Sequence, residues 1–179
     1  MSRGFDELPS DPELAHAASS ARAEWRRAEE EYVRAAEEHW AHQQTLRDVV
    51  RALMHRGDAI AASVGPTTFT GRVVAVGDDW FELDSAGGAV DVRIDAPELE
   101  VRVVARARDG GCRGAPGSRS FRARLLEHEM AGVPVVVGGR AGREARGELV
   151  VGRDQVCVGV PLGTYLPVRG IAWVRATRD

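Results

Sequence analysis

The sequence predicts an α+β protein in which a long N-terminal helix precedes two small antiparallel β-barrels. Three observations predict this fold. Residues 11–56 contain no Gly, a single Pro at Pro12, and many Ala, Glu, Arg and Gln, which favour helix. From Gly57 onward, apolar residues recur with period two between Gly, Pro and Asp turns, as is typical of short strands. Finally, residues 46–106 align with residues 121–176, which indicates an internal repeat.

Length and composition limit the possible classes. With 179 residues, 44% of them apolar and 28% charged, the chain suits one modest domain, or two very small ones, plus an extension. We expect neither a membrane span nor a signal peptide, because the apolar runs are short and interrupted. Cys112 lies in a Gly-rich stretch and Cys157 in an apolar strand, so we predict no disulfide and a cytoplasmic location.

The N-terminal segment is predicted to be a helical stalk over residues 11–56, after a disordered tail over residues 1–10. Its apolar and small residues alternate in steps of four and three, which is the heptad spacing of a left-handed coiled coil. We therefore predict a homo-oligomer; an intramolecular helical hairpin and a lone solvated helix are the alternatives. The candidate oligomerisation residues are Leu14, Ala21, Trp25, Ala28, Tyr32, Ala35, Leu46, Val49 and Leu53.

The remaining chain is predicted to hold two barrels, over residues 57–107 and 121–179, joined by an Arg- and Gly-rich linker over 108–120. A short helix leads the second barrel. The predicted strands lie near 59–64, 69–76, 80–85, 89–94, 100–106, 133–137, 145–151, 155–160 and 165–175.

The repeat pairs similar segments in the same order. The helix LRDVVRALMH corresponds to FRARLLEHEM, with Leu53-Met54-His55 set against Leu126-Glu127-His128. The strands TGRVVAVGDDWFEL correspond to RGELVVGRDQVCV with one residue of length difference. Each copy is near the lower size limit for an independent core, so we expect the copies to pack together or to join edge to edge.

The first copy resembles the Sm-like fold, the small SH3-like β-barrel of eukaryotic Sm proteins and of bacterial Hfq-type RNA chaperones. Residues Phe69–Val73 and Asp78–Leu83 look like the first half of the family signature, and Val92–Asp95 look like the second half. The resemblance implies tandem Sm-like barrels, a layout similar to that of uncharacterised actinobacterial helix-plus-barrel proteins. It does not extend to the family's RNA pocket, because the sequence has no Asn and lacks the Tyr-Lys-His motif.

Arginine supplies the candidate nucleic-acid surface. All 24 basic residues are Arg, but the net charge of −3 excludes a basic field over the whole molecule, so any such surface must be local. Residues 102–124 carry seven Arg against one Asp, and such a segment can follow phosphates or serve as a plain linker. The segment GRAG at 139–142 is interpreted as a hairpin tip that extends the basic edge. The predicted binding residues are Arg106, Arg108, Arg113, Arg119, Arg122, Arg140 and Arg143.

No catalytic or metal-binding pattern is present in the sequence. We interpret His39 and His42 as polar residues of the helix seam, and His55 and His128 as helix C-terminal residues favoured by the dipole. Aspartates such as Asp91 are interpreted as turn or solvent-facing strand residues, and Cys157 as a small buried residue. We expect no enzymatic activity, no cofactor and no metal.

These observations predict a non-enzymatic regulatory protein that self-associates and binds RNA or DNA through a local Arg-rich surface. The alternative is a protein–protein interaction scaffold that docks on a larger assembly, such as a transcription complex, without binding nucleic acid. Neither hypothesis involves a membrane.

Overall fold

The computed structural model describes residues 12–111, 114, 118–139, 142–159 and 162–177. The predicted disordered tail 1–10 and the residues Cys112, Arg113 and Arg140 lie outside the described residues. The chain divides into two compact units, Met1–Gln44 and Thr45–Asp179. The two predicted barrel regions therefore belong to one unit.

The predicted 11–56 helix is two helices, so the continuous stalk is wrong. Helix α1 spans Pro12–Gln43 and α2 spans Leu46–Arg56. Thr45 separates them because it adopts an extended conformation and caps α2: its side chain accepts from the Asp48 N–H, and the Asp48 carboxylate accepts from the Thr45 N–H. At the other end, Gly57 has φ 74°, the left-handed conformation that favours glycine, and it ends α2.

The rest of the second unit contains one further helix and eleven strands among the described residues. Helix α3 spans Phe121–Ala131. The predicted strand 165–175 is wrong, because a 3-10 turn at Val168–Gly170 divides it. The strands are β1 Ala59–Val64, β2 Thr67–Val76, β3 Trp80–Ser85, β4 Gly88–Arg93, β5 Leu99–Ala105, β6 Val135–Gly139, β7 Glu144–Gly147, β8 Leu149–Val151, β9 Gln155–Val158, β10 Thr164–Pro167 and β11 Ile171–Ala176.

The strands form two antiparallel sheets, which confirms the α+β class with a long N-terminal helix. One sheet has eight strands in the order β5-β1-β2-β3-β4-β11-β6-β7, and the other has three in the order β10-β9-β8. Among the described strands, neither sheet closes into a barrel. The larger sheet crosses from one repeat to the other where β4 pairs with β11.

The internal repeat is also visible in the hydrogen bonds, because corresponding residues of the two repeats form the same contacts. Most corresponding residues are as far apart along the chain as Gly77 and Gly152, and we call this separation the repeat offset. The Gly77 N–H donates to Trp80 O at 2.9 Å, and the Gly152 N–H donates to Gln155 O at 2.8 Å. The guanidinium of Arg47 donates to Gly77 O, and that of Arg122 donates to Gly152 O. In each repeat, therefore, the start of the helix is hydrogen-bonded to the corresponding hairpin of that repeat.

Strand order and helix caps repeat as well. The first repeat has the order β5-β1-β2-β3-β4, and the second has β11-β6-β7 and β10-β9-β8, which are the corresponding strands. Thr45 and Ser120 cap α2 and α3, and Gly57 and Gly132 end them. The repeat offset places His55 opposite Met130, so the sequence alignment of His55 with His128 is wrong by two residues.

Two apolar cores hold the second unit together. The first joins Val50, Leu53 and Met54 of α2 to strands β1–β4, and the second joins Phe121 and Leu125 of α3 to β6, β8, β9 and β11. Trp173 of β11 lies in the first core and contacts Phe69 with ring centroids 4.9 Å apart. Burial of large side chains supplies most of the stabilisation in such a domain.

None of the helices in the described part of the chain is long and apolar enough to cross a membrane.

Candidate nucleic-acid interface

The Arg-rich connector, which we define as residues 106–120, is fixed at its start to the end of α2. The Ala107 N–H donates to Asp58 Oδ1 at 3.0 Å, and the Gly111 N–H donates to His55 O at 3.0 Å. Asp58 is only 4% exposed, and its other oxygen accepts from Arg56 Nε at 2.8 Å. The hydrogen bond from Arg56, followed by that from Ala107, lowers the pKa of Asp58, so its carboxylate stays ionised and holds the chain there.

The end of the connector is fixed to the β2–β3 hairpin. Ser118 O accepts from Trp80 Nε1 at 3.0 Å, and Arg119 O accepts from the Asp78 N–H at 2.6 Å. The Phe121 N–H then donates to Asp79 Oδ1 at 2.6 Å, where α3 begins. The described parts of the connector are therefore anchored on the first repeat at both ends.

Two glycines allow this close approach. A Cβ on Gly111 would lie 2.0 Å from Met54 O, and a Cβ on Gly114 would lie 2.9 Å from Met54 Cε. Only glycine leaves room for the backbone at Gly111, because the obstacle there is backbone rather than a flexible side chain. The plain-linker interpretation does not account for these contacts.

Three predicted binding residues, Arg106, Arg108 and Arg119, are exposed on this connector. In the described part of the chain, none of the three guanidinium groups forms an ion pair with a carboxylate. Arg106 also lines an open groove of about 720 Å³ at the start of the connector. The other lining residues are His55, Arg56, Asp58, Val103, Ala107 and Gly110.

The structure does not bring all seven predicted arginines together. The Arg122 guanidinium donates to Gly152 O and Arg153 O, so it serves the β8–β9 hairpin instead. Arg143 is exposed beside the β6–β7 hairpin, where the Gly139 N–H donates to Arg143 O at 2.9 Å. Arg113 and Arg140 lie outside the described residues.

An ion cluster that sequence reasoning missed lies between the two repeats. Asp91 of β4 is 1% exposed, which corrects its interpretation as a solvent-facing strand residue. Its Oδ2 accepts from Arg124 Nε at 2.9 Å and lies 2.6 Å from His128 Nε2. The helix-dipole interpretation of His128 is therefore incomplete, because this ring binds a buried carboxylate. Arg124 also pairs with Glu82 of β3 at 2.9 Å.

This cluster fastens α3 of the second repeat to the sheet of the first. Burial, and then the negative charge of Asp91, raise the pKa of Glu82, while Arg124 acts in the opposite direction. Arg124 and His128 are four residues apart and therefore share one face of α3. That spacing was the one available sequence signal for the cluster, but it does not reveal the carboxylate partners.

The predicted oligomerisation residues divide between the two units. Trp25 and Tyr32 of α1 are 69% and 76% exposed, and Ala21, Ala28 and Ala35 are also exposed. In α2, Leu46 is exposed, but Leu53 is 2% exposed within the first core and Val49 packs against that core. The assignment of Leu53 and Val49 to a coiled-coil seam is therefore wrong. The side chain of Leu14 lies outside the described residues.

Among the described residues, no group of three or more His, Cys, Asp or Glu side chains is placed to hold a metal ion. His39 Nε2 lies 2.9 Å from Gln43 Nε2 on α1, and Cys157 is a half-buried free thiol.

No protein-family model matches the chain, and a search of curated proteins gives no significant match.

Proposed function

We propose that this is a non-enzymatic regulatory protein that binds RNA or DNA through the exposed arginines of the connector and self-associates through α1. We further propose that its two repeats are tandem Sm-like units, on the basis of their signature residues and their repeated strand order. The observation that carries the binding proposal is the connector itself. Arg106, Arg108 and Arg119 are exposed and form no ion pair with a carboxylate of the described chain, on a segment anchored at both ends.

Phosphate binding by these arginines has a clear physical basis. A guanidinium donates two parallel hydrogen bonds to a phosphate and stays charged at all physiological pH values. Anchoring the connector before binding reduces the ordering entropy that binding must overcome. Because the whole chain is acidic, the attraction is confined to this surface and should weaken steeply with salt.

A salt titration tests this proposal. We expect the full chain to bind single-stranded RNA or duplex DNA in fluorescence anisotropy, with an affinity that falls as salt rises. Replacing Arg106, Arg108 and Arg119 by Gln should reduce the salt slope by roughly two to three. The matched control replaces the exposed α1 residues Arg22, Arg27 and Arg34 by Gln, which removes the same charge. Absence of binding at low salt, or an equal loss in the control, contradicts the proposal.

Self-association is assigned to α1 because the large aromatic side chains described on this helix are exposed. Trp25, Tyr32 and Trp40 are 65–76% exposed, and a helix with such a face gains stability by pairing. Replacing Trp25 and Tyr32 by Ser should lower the mass measured by light scattering. The control, Arg27 and Arg34 replaced by Ser, should leave the mass unchanged. Equal masses for all three chains contradict the assignment.

The same exposed aromatics favour the second candidate function, a scaffold that docks on a larger assembly such as a transcription complex. Interface cores are enriched in Trp and Tyr. Under this hypothesis the variant with Trp25 and Tyr32 replaced by Ser has the same mass as the wild type but no longer binds its protein partner. The wild-type chain binds neither RNA nor DNA. The two experiments above therefore separate the two functions.

A further inference from the structure

The junction of the two repeats is the pairing of β4 with β11, and a pocket of about 430 Å³ opens beside it. Small-molecule sites commonly have volumes of roughly 300–1,000 Å³. The first repeat contributes Thr67–Thr70 of β2 and Ser85–Gly87 at the β3–β4 turn, and the second contributes Glu144 of β7 with Trp173 and Arg175 of β11. We call this space the junction pocket. Because both repeats supply its walls, neither repeat forms it alone.

Two aromatic rings form an apolar floor in the junction pocket. Phe69 of the first repeat contacts Trp173 of the second edge to face, with ring centroids 4.9 Å apart. The Trp173 indole also covers Gly138, where a Cβ would lie 2.0 Å from Trp173 Cε2. Phe69 and Trp173 are only 7% and 2% exposed, so little of either ring face is accessible. The floor can therefore receive an apolar side chain, but it offers no platform for stacking a planar base.

Arg175 is the cation of the junction pocket. It is half-buried, and its guanidinium lies over the Trp173 ring, 6.0 Å from the centroid. Three other half-buried arginines, Arg47, Arg93 and Arg124, each pair with a carboxylate. Among the described residues, none accepts a hydrogen bond from the Arg175 guanidinium or forms an ion pair with it. A guanidinium in this state suits a ligand carboxylate, to which it can donate two parallel hydrogen bonds.

Glu144 is the anion of the same pocket. It pairs with Gly138 of β6, and Gly138 pairs with Trp173 of β11, so Glu144 lies on the Trp173 face of the sheet. Glu144 is exposed, and within the described chain it forms no ion pair with Arg175 or with another cation. A cation and an anion therefore line one pocket without neutralising each other. This arrangement suits a ligand that carries both charges.

We propose that the junction pocket binds a small zwitterion, an α-amino acid with an apolar side chain. The carboxylate of the ligand pairs with Arg175, its ammonium group pairs with Glu144, and its side chain lies on the floor formed by Phe69 and Trp173. The residues of the junction pocket belong neither to the connector nor to α1, so the proposal does not rest on the proposed function.

The charges and the floor of the pocket disfavour other small ligands. A nucleotide brings several negative charges, which Glu144 repels, and its base finds no accessible ring face on Phe69 or Trp173. A simple carboxylate pairs with Arg175 but leaves Glu144 without a partner, and a simple amine does the reverse. Leaving a charged group without its hydrogen-bond partner costs binding energy, so the zwitterion should bind most tightly.

Titration of the full-length chain with L-leucine, followed by heteronuclear NMR, tests the proposal. We expect leucine to shift the amide signal of Gly87 and the indole N–H signal of Trp173. Two matched probes lack one charge each: isocaproate has no ammonium group, and isoamylamine has no carboxylate. Each probe should bind at least about tenfold more weakly than leucine. Absence of leucine-dependent shifts, or equal affinity for leucine and either probe, overturns the proposal.

Variants of the two charged residues assign the ligand groups. Glu144→Gln should abolish the preference for leucine over isocaproate, because the ammonium group then has no carboxylate partner. Arg175→Gln should abolish the preference for leucine over isoamylamine for the corresponding reason. The matched controls Glu148→Gln and Arg72→Gln remove the same charges from exposed positions outside the pocket and should keep both preferences. Preferences that survive in the pocket variants, or that disappear in the controls, overturn the assignment.

Thermal unfolding provides a second readout on the same chains. A ligand that binds only the folded state raises the melting temperature, so leucine should raise that of the wild type and of both controls, and raise that of Glu144→Gln by less. Glu144 is exposed, so its replacement leaves the core intact. If Arg175→Gln does not fold, the Glu144→Gln results decide alone. An equal rise in the wild type and in Glu144→Gln overturns the proposal.

Discussion

The two repeats of the second unit share a backbone but differ in the side chains at their edges. Both tie the start of a helix to a hairpin through an Arg and a Gly, at Arg47–Gly77 and Arg122–Gly152. At the β4 edge of the first repeat stands Asp91, which is buried by the second repeat. The comparison teaches that the contact between helix and hairpin is common to both repeats, whereas the Asp91 cluster lies at the junction between them.

The helices differ in the same way. Helix α2 contacts its own sheet mainly through apolar side chains, whereas α3 contributes Phe121 and Leu125 to its own core and directs Arg124 and His128 at the other repeat. Helix α3 therefore contributes both to the core of the second repeat and to the ion cluster that joins it to the first. Removing that link should affect both repeats at once.

The largest expected effect follows from Trp173→Ala. Trp173 belongs to the second repeat but is 2% exposed within the first core, so its loss leaves a cavity in both the junction and the core. We expect a loss of about 4 kcal/mol in the free energy of unfolding, measured by urea denaturation. One cooperative transition should remain. Two separate transitions would show that the repeats fold independently and would contradict this expectation.

A somewhat smaller loss is expected for Asp91→Ala, because Arg124 and His128 then lose their buried partner. Removing one member of a buried pair costs about 3 kcal/mol or more, mainly through the charge that is left uncompensated. The control Asp84→Ala removes an exposed carboxylate from β3 and should change the unfolding free energy by less than about 0.5 kcal/mol. Equal effects in urea denaturation would contradict the role of the cluster.

Glu82→Gln should change how stability depends on pH. Because burial and Asp91 raise the pKa of Glu82, the folded chain holds this proton to higher pH than the unfolded chain does. The stability that this gives is fully present below the ordinary glutamate pKa of about 4.5 and is lost as pH rises through the higher pKa of the folded chain. The Gln variant does not lose this stability as pH rises. The urea midpoint of the variant minus that of the wild type should therefore be higher at pH 7 than at pH 4.

The pH dependence has its own internal control. In an Asp91→Ala background the charge of Asp91 no longer acts on Glu82, so the difference between pH 4 and pH 7 should shrink. A relative midpoint that is the same at both pH values in the parent chain, or that moves the other way, contradicts the assignment.

Much of the fold was predictable from local sequence signals. Short apolar runs bounded by Gly, Pro and Asp turns located β1 and β3 with their observed bounds, because such turn residues end strands. The break at Thr45 was missed although Thr45 and Asp48 have the spacing of a capping pair, because the heptad steps continue through it. The capping hydrogen bonds of Thr45 and Asp48 therefore end the helical run, although the heptad spacing alone predicts that it continues.

The ion cluster was not predictable in the same way. Alternation places Asp91 on the opposite face from Val90 and Val92, and in an antiparallel sheet that face is commonly exposed. Its burial involves α3, which comes much later in the chain and contacts Asp91 through Arg124, beside the pairing of β4 with β11. The connector was recognisable by its charge, but its anchors at Asp58 and Trp80 are long-range contacts without a sequence pattern.

The helix caps provide the smallest and most direct comparison of the repeats. Thr45 forms a reciprocal capping box with Asp48, whereas Ser120 caps α3 through a hydrogen bond from the Ala123 N–H and has no carboxylate at that position. Ser120→Ala should cost about 1 kcal/mol in the free energy of unfolding, the ordinary value of an N-cap side chain. Thr45→Ala should cost more, because the Asp48 carboxylate also loses the hydroxyl that donates to it at 2.6 Å. Thermal or urea unfolding of the two variants under the same conditions measures the difference, and a larger loss for Ser120→Ala would show that the reciprocal box adds nothing to α2.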